Sequence, residues 1–281
     1  MNHSVLRESA AAALRRTRAA NPLVHTITNF VTVNDCANII LAAGGSPTMA
    51  HDPREVEEIA AVSQAVVLNM GAIEDLDAMI LAGQEAGRRG IPVVLDPVAA
   101  GASRLRRESC SRLLERVPLA IVRGNASEIK ALAVGSSSTR GVDVGGADII
   151  TEETLPAAVQ MAQDLSRRLN AVVAISGVID VVALDGRAVW LRNGCAEMSR
   201  ITGSGCMLTA LLGAVAGANR GCPFESTVAA VGMMGLAGEL AQKRMRELGG
   251  GTATFRTCLT DAVSLMTPDQ LKGGLQIEGN E

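Results

Sequence analysis

The segment Thr202-Gly203-Ser204-Gly205-Cys206 has the residue types of an anion-binding turn. Its glycines allow the backbone to curl so that successive N–H groups converge. The apolar stretch that follows, residues 207–218, predicts a helix whose first N–H groups are unpaired and attract phosphate. The segment lacks the Gly-Lys pair of a P-loop, and Leu208 stands where a dinucleotide-binding loop has its third glycine. The sequence therefore predicts an anion cradle here, with a glycine turn for tight packing as the alternative.

A second candidate group is Asn125-Ala126-Ser127-Glu128, which places an amide and a carboxylate three residues apart. If a helix starts here, both side chains lie on one face, and the carboxylate could help to hold a hydrated Mg²⁺. The same spacing is that of a capping box, with Asn125 as the N-cap and Glu128 at N3, and spacing alone favours the cap. Both interpretations can hold together, because a helix N-terminus and a metal-bound phosphate occupy neighbouring space.

Four short apolar runs end in groups that can do chemistry. The runs are residues 65–69, 91–96, 119–123 and 171–176, and at their ends stand Asn69, Asp96, Arg123 with Gly124 and Asn125, and Ser176. Continuous apolar runs are typical of parallel strands that are covered on both faces. Ligands bind at the carboxyl ends of such strands, so the four ends are predicted to converge on one crevice. Each end alone is ordinary turn chemistry, and the prediction rests on all four together.

The elements that position these residues alternate short β-branched runs with helical patterns, which indicates βαβ units and a mostly parallel sheet. Residues 75–89 have the spacing of a crossover helix, and Asp185-Gly186 is a two-residue hairpin signal that predicts an antiparallel edge. Residues 135–146 are rich in glycine and serine and are predicted to form a mobile loop, too short to link two domains. One domain, residues 1–281, is expected.

Composition excludes several classes of protein. The chain has 281 residues, of which 48% are hydrophobic and 20% charged, a balance that is too apolar for a disordered protein. With a net charge of −3, three phenylalanines, one tryptophan and no tyrosine, it offers neither a basic surface nor stacking platforms. Nucleic acid is therefore not an expected partner.

Two further features bear on location. Residues 201–219 carry no charge, but their glycines and hydroxyl residues favour a buried helix over a membrane span. The six cysteines include no CxxC pair, and no secretory signal precedes them, so a reduced, cytoplasmic setting is expected. The arginine-rich N-terminus leaves an amphipathic transit peptide as the alternative to an exposed first helix.

These segments together resemble the ribokinase-like superfamily and, within it, the hydroxyethylthiazole kinase family. The resemblance spans nearly the whole chain. It is carried by residues 21–34 (NPLVHTITNFVTVN), 44–50 (GGSPTMA), 68–71, 95–101 (LDPVAAG), 123–129 (RGNASEI), 174–177, 201–208 (ITGSGCML) and 249–259 (GGGTATFRTCL). Departures from the family pattern are mild: Ser176 stands where threonine is frequent, and Ala99-Ala100 replace a Gly-Ala pattern.

The resemblance implies a three-layer α/β/α fold with a mostly parallel central sheet, helices on both faces and no separate lid domain. It implies phosphorylation of the hydroxyl of 4-methyl-5-(2-hydroxyethyl)thiazole, dependent on ATP and Mg²⁺, in thiamine salvage. It also implies a homotrimer with active sites at subunit interfaces. Alternatives are another vitamin-alcohol kinase of the same fold, of the hydroxymethylpyrimidine type, an ATP-dependent hydrate-repair enzyme, or a nucleotide-binding protein without turnover.

The resemblance also suggests roles for individual residues. The expected substrate contacts are Met49, Gly203, Asn29 and Val31, and the expected ATP contacts are Arg123, Ser176 and Asn125. Asp96 and Glu128 match acidic positions that manage magnesium. Cys206 would act with the backbone of Gly203 and Gly205 at the reacting groups, either as a base or only by orienting the substrate hydroxyl.

Overall fold

The structure, a computed structural model, describes residues 3–134 and 149–280. The predicted loop at residues 135–146 lies outside the described residues. The strands are β1 Leu23–Ile27, β2 Ser46–Thr48, β3 Ala65–Asn69, β4 Val93–Asp96, β5 Ile121–Asn125, β6 Val172–Ser176, β7 Asp180–Leu184, β8 Arg187–Leu191 and β9 Ile277–Asn280. The α-helices are α1 His3–Ala20, α2 Val33–Ala43, α3 Val56–Val62, α4 Leu76–Arg88, α5 Arg104–Arg116, α6 Ala126–Val134, α7 Leu155–Leu169, α8 Ser204–Ala218, α9 Pro223–Glu247, α10 Thr252–Leu265 and α11 Pro268–Gly274.

All the strands form one sheet in the order β2-β1-β3-β4-β5-β6-β7-β8-β9. The pairs from β2 to β6 are parallel, and those from β6 to β9 are antiparallel. The four predicted runs are β3, β4, β5 and β6, and the hairpin signal lies between β7 and β8, with Asp185 in the left-handed region at φ 54°. This confirms the mostly parallel sheet with an antiparallel edge.

Helices cover both faces of the sheet, as the two buried clusters show. Along β3, Ala65 and Val67 belong to one cluster, whereas Val66 and Leu68 belong to the other. The first cluster includes residues of α1, α2, α8 and α9, and the second includes residues of α3, α4, α5 and α7. Alternation of side chains along each strand therefore delivers apolar groups to both layers, which confirms the three-layer fold class.

Three strands were not predicted from the sequence patterns. In β1 (LVHTI), His25 and Thr26 interrupt the apolar run although both are buried. β2 has three residues, one of them proline, and lies at the sheet edge, where a missing N–H is tolerated. β9 (IEGN) pairs with β8 at the other edge. Such short or mixed strands depend on their partners rather than on local periodicity.

The uncharged stretch forms the buried helix α8, which packs on the sheet. Glycine permits this close approach, because a Cβ at Gly213 would lie 2.4 Å from Val67 Cγ2 and one at Gly217 would lie 3.2 Å from Ala65 Cβ. Within the described residues, every helix is too short or too polar to span a bilayer. The helix begins at Ser204, three residues before the predicted apolar stretch. Its N-cap is Gly203, so the second half of the glycine turn already belongs to the first turn of α8.

Candidate active site

The carboxyl ends of the parallel strands meet at one edge of the sheet, as their order requires. Asn69 of β3 lies directly opposite Asp96 of β4, and its Nδ2 donates to Asp96 Oδ2 at 3.1 Å. Asn125 of β5 lies opposite Ser176 of β6. Arg123 donates to Ser176 Oγ, and its Nη1 lies 3.6 Å from Asp96 Oδ2. The predicted convergence of the four strand ends is therefore seen in the structure.

Asp96 is the buried centre of this cluster, with 1% of its surface exposed. Its Oδ2 also accepts a hydrogen bond from Thr209 Oγ1 at 2.8 Å, whereas its buried Oδ1 has no partner among the described residues. Burial raises the pKa of Asp96 to about 6; Arg123 opposes this shift and Glu128 adds to it. A buried carboxylate oxygen without a partner is costly, so Oδ1 is available for a ligand.

The sulfur of Cys206 lies among amide donors. Asn69 Nδ2 is 3.2 Å and Asn29 Nδ2 is 3.6 Å from Cys206 Sγ. Burial, followed by the charge of Asp96, raises the pKa of the Cys206 thiol; hydrogen bonds from Thr32 and Asn69 only reduce that shift. This environment favours the protonated thiol, and the two roles that the sequence left open for Cys206, base and orienting group, stay predictions.

The N-terminus of α8 completes the crevice. Gly203 is its N-cap and has a φ of +80°, and the N–H groups of Ser204, Gly205 and Cys206 lie in the first turn, where no intrahelical acceptor exists. A Cβ at Gly205 would lie 2.5 Å from Arg123 Nη1, so the guanidinium packs directly against this turn. A positive side chain beside a positive helix end creates a field that an anion would relieve.

Glu128 and Asn125 form the capping box that their spacing favours. Glu128 N donates to Asn125 Oδ1 at 2.9 Å, and Asn125 N donates to Glu128 Oε2 at 2.8 Å. Glu128 Oε1 accepts from Ala99 N at 2.9 Å, which holds Ala99 in a left-handed conformation at φ 57°. The carboxylate thus braces the turn after β4, and its metal role stays a prediction.

A cavity of about 670 Å³ opens beside Arg123 and Ser176, a size that suits a nucleotide. Near these two residues it is lined by Gly177, Ser204 and Gly205, and further away by Met198, Val231 and Met234. Asp180, which sequence reasoning missed, also lines it. Its Oδ1 accepts from Gly177 N at 2.9 Å, and burial raises its pKa to about 7. A cavity of about 780 Å³ between α9 and α10 contains none of the predicted site residues.

The predicted substrate residues lie at the far end of the crevice. A Cβ at Gly203 would lie 2.6 Å from Thr32 Cγ2, so α8 begins against the turn that follows β1. Asn29 reaches the Cys206 cluster, whereas Val31 is 55% exposed on the surface of that turn. Met49 follows β2 and is half-buried. In the structure, Asn29 and Gly203 therefore lie beside the Cys206 cluster. That Val31 and Met49 enclose the substrate stays a prediction.

Two polar residues of the cluster, Asn69 and Thr209, received no role from the sequence. Asn69 stood out only as one of four strand ends. Thr209 lies three residues after Cys206, a spacing that places both on one helix face, and this was the available signal. Neither contact could be predicted without the packing of α8 on the sheet.

The donor set fits magnesium with few protein ligands. Within residues 3–134 and 149–280, no three His, Cys, Asp or Glu side chains gather into a metal cluster. Mg²⁺ characteristically takes one or two carboxylates and completes its shell with water and phosphate oxygens. The unpartnered Oδ1 of Asp96, beside the anion-binding helix end, fits that requirement.

A mostly parallel sheet covered on both faces, whose strand ends and α8 N-terminus line a crevice beside a nucleotide-sized cavity, is the arrangement of the ribokinase-like fold class. An ADP complex of Bacillus subtilis pyridoxal kinase shares this fold, with a TM-score of 0.56 and 17% identity, over 76% of this chain and 90% of that chain.

Nearer relatives narrow the class to one family. The hydroxyethylthiazole kinase family matches residues 14–269. A hydroxyethylthiazole kinase of Clostridium acetobutylicum is 43% identical over 267 residues, covering 94% of this chain and 97% of the relative. The structure of the hydroxyethylthiazole kinase from Pyrococcus horikoshii superposes with a TM-score of 0.83 at 32% identity, over 97% of this chain and 99% of that one. The chain belongs to the hydroxyethylthiazole kinase family, which confirms the resemblance in its sequence.

Proposed function

We propose that this protein transfers the terminal phosphoryl group of ATP to the hydroxyl of 4-methyl-5-(2-hydroxyethyl)thiazole, in thiamine salvage. Membership of a kinase family supports phosphoryl transfer from ATP. The observation that carries the proposal is the free N-terminus of α8 between the nucleotide-sized cavity and the Cys206 cluster. A phosphoryl group placed there would face ATP on one side and a small alcohol on the other.

Nucleotide contacts are proposed for Arg123, Ser176 and Asn125. Arg123 lies against the first turn of α8 and lines the cavity together with Ser176. The side-chain oxygen of Asn125 already accepts hydrogen bonds from Ser127 Oγ and Glu128 N, so its Nδ2 would make the ATP contact. Phosphoryl transfer passes through a loose transition state, so neutralising phosphate charge outweighs covalent chemistry.

Asn29, Val31, Met49 and Gly203 are proposed to hold the thiazole alcohol. Cys206 would orient its hydroxyl toward the backbone N–H groups of Gly205 and its neighbours, where the transferring phosphoryl group is stabilised. Because a loose transition state develops little charge on the attacking oxygen, a strong base is not required and the thiol stays protonated. As the new O–P bond forms and the bond to the β-phosphate oxygen of ATP breaks, the hydroxyl proton passes to a phosphoryl oxygen or to solvent.

Magnesium is proposed as the cofactor, with Asp96 as the residue that holds it and Glu128 as a second acidic group. Glu128 contributes through its charge, which already acts on Asp96. When bound, the ion neutralises charge on the phosphate oxygens. Removing magnesium with EDTA is expected to abolish turnover, and restoring it in excess to recover turnover.

An assay of ATP consumption tests the proposed function. Purified protein with ATP and Mg²⁺ is expected to turn over the thiazole alcohol at least about tenfold faster, by kcat/KM, than hydroxymethylpyrimidine or pyridoxal. Such a ratio corresponds to about 1.4 kcal/mol of transition-state binding. Preference for either competitor would point to another vitamin-alcohol kinase. A thermal shift with ATP and thiazole alcohol but no turnover would point to a binding protein.

We propose a homotrimer with active sites at subunit interfaces. Phe30 is 84% exposed and Val31 55% exposed, although Val31 is a predicted substrate contact, so an apolar surface borders an open part of the crevice. Native mass spectrometry is expected to give three times the 29.0 kDa chain mass. A monomer that turns over the thiazole alcohol would contradict this assembly.

A cytoplasmic location is also proposed, supported by six free cysteines.

A further inference from the structure

Asn69 lies at the end of β3 with 1% of its surface exposed, and its side-chain amide contacts four groups. Its Oδ1 accepts from Gly71 N at 2.9 Å and from Asn29 Nδ2 at 3.2 Å. Its Nδ2 donates to Asp96 Oδ2 at 3.1 Å and to Cys206 Sγ at 3.2 Å. Both ends of the amide are therefore used inside the reacting cluster.

The orientation of this amide is fixed by its neighbours. The backbone N–H of Gly71 can only donate, so the amide oxygen must face it and the NH₂ group must face Asp96 and Cys206. Gly71 has no side chain in the way; a Cβ there would lie 2.7 Å from both Asn29 Nδ2 and Asn69 Oδ1. The turn after β3 thus allows the side-chain amides of Asn29 and Asn69 to meet, and it directs Asn69 Nδ2 toward Asp96 and Cys206.

Asparagine suits this position because one nitrogen carries two hydrogens. One hydrogen serves the Asp96 carboxylate and the other serves the Cys206 sulfur, which are on different elements. A protonated carboxylic acid of the same size has one hydrogen to donate, and a serine hydroxyl is too short to span the two groups. The amide links the strand that carries the acidic group to the helix that carries the thiol.

We propose that Asn69 is a positioning residue for phosphoryl transfer: its amide holds the Cys206 sulfur and the Asp96 carboxylate in one fixed arrangement. This inference rests on the proposed function and deepens it. Asn69 is absent from the residues that line the nucleotide-sized cavity. Its loss therefore acts on the arrangement of the reacting groups and not on ATP binding.

Kinetics of a neutral variant test the proposal. Asn69→Ser is expected to lower kcat by about 10- to 100-fold, the effect of losing hydrogen bonds to buried groups, with the KM for ATP within about twofold of wild type. The matched control is Asn170→Ser, at the end of α7 and hence at the opposite edge of the sheet, where kcat stays within about twofold. A kcat for Asn69→Ser within about twofold of wild type would overturn the proposal.

A double-variant cycle separates positioning from general damage. If Asn69 acts through the sulfur, Asn69→Ser with Cys206→Ala loses clearly less activity than the product of the two single losses. Losses that multiply within about twofold would show that Asn69 acts independently of Cys206, which contradicts the proposal.

A third measurement does not depend on the proposed function. Alkylation of Cys206 by iodoacetamide at pH 8.5 is followed by peptide mass spectrometry, with the exposed Cys222 as internal reference. Asn69→Asp keeps the size of the side chain but removes the N–H donors, so the Cys206 to Cys222 rate ratio is expected to fall at least about fivefold. An unchanged or higher ratio would overturn the proposal. If the wild-type protein showed no kinase activity, the proposed function would be refuted, but the alkylation ratio would still test the role of Asn69. If Asn69→Asp did not fold, the kinetics of Asn69→Ser would decide.

Discussion

Replacing Gly203 by valine is expected to lower phosphoryl transfer at least about a thousandfold, because the change removes the anion-binding geometry of α8. Two effects act together. Gly203 has a φ of +80°, a conformation that β-branched residues avoid, and a Cβ there would lie 2.6 Å from Thr32 Cγ2. The helix start and the turn after β1 must then separate, which displaces the N–H groups of the first turn. The measurement is kcat with saturating ATP and thiazole alcohol.

Gly221→Val is the matched control for Gly203→Val. Gly221 has a similar φ of +88°, but a Cβ there meets nothing within 4 Å, and it lies beyond the opposite end of α8. Both variants should lose stability from backbone strain, on the order of 1–3 kcal/mol. The Gly221 variant should keep its activity. If Gly203→Val retained more than about a hundredth of wild-type kcat while folded, the assignment of this turn to the phosphoryl group would be wrong.

Asp96→Asn is expected to lower kcat while it raises the stability of the folded protein at neutral pH. The amide keeps the size of the side chain and can still accept from Asn69 and Thr209, but it removes the negative charge proposed to hold magnesium. Loss of one such group costs roughly 100- to 1000-fold in kcat. Asp77→Asn, on the exposed surface of α4, removes the same charge where it pairs with Arg112, and it should leave kcat unchanged.

The same variant should be more stable than wild type at neutral pH. The folded-state pKa of Asp96 is about 6, above its ordinary value of 3.8, so the folded protein binds more protons than the unfolded chain between these values. The contribution of Asp96 to the free energy of unfolding therefore falls as pH rises from about 4 to about 6. Above that window the ionised group costs about 3 kcal/mol, from about two pKa units.

Urea unfolding of wild type and Asp96→Asn without nucleotide or metal measures this difference. We expect the asparagine variant to gain stability relative to wild type from pH 4 to pH 7 and the two proteins to converge near pH 4. A stability difference that grows toward acid would mean that the folded state lowers the pKa of Asp96, contrary to the effect of its burial.

The sequence predicted those parts of the site that depend on neighbouring residues. The capping box of Asn125 and Glu128 needed only their spacing, and both of its hydrogen bonds are present. The strand ends at Asn69, Asp96 and Ser176 were visible because continuous apolar runs stop there. The rest could not be predicted, because the Asn69 to Cys206 hydrogen bond joins residues 137 positions apart and depends on how α8 packs on the sheet.

Local pattern by itself predicted the fold class and the glycine turn before α8, because strand periodicity and glycine content act within a few residues. The family followed from the resemblance of segments along nearly the whole chain, which the relatives confirm. Tertiary structure alone decided the state of the reacting groups. A helix N-terminus should lower the pKa of Cys206, yet burial and the charge of Asp96 raise it. Only packing supplies that burial, and only strand register places Asn69 between the carboxylate and the sulfur.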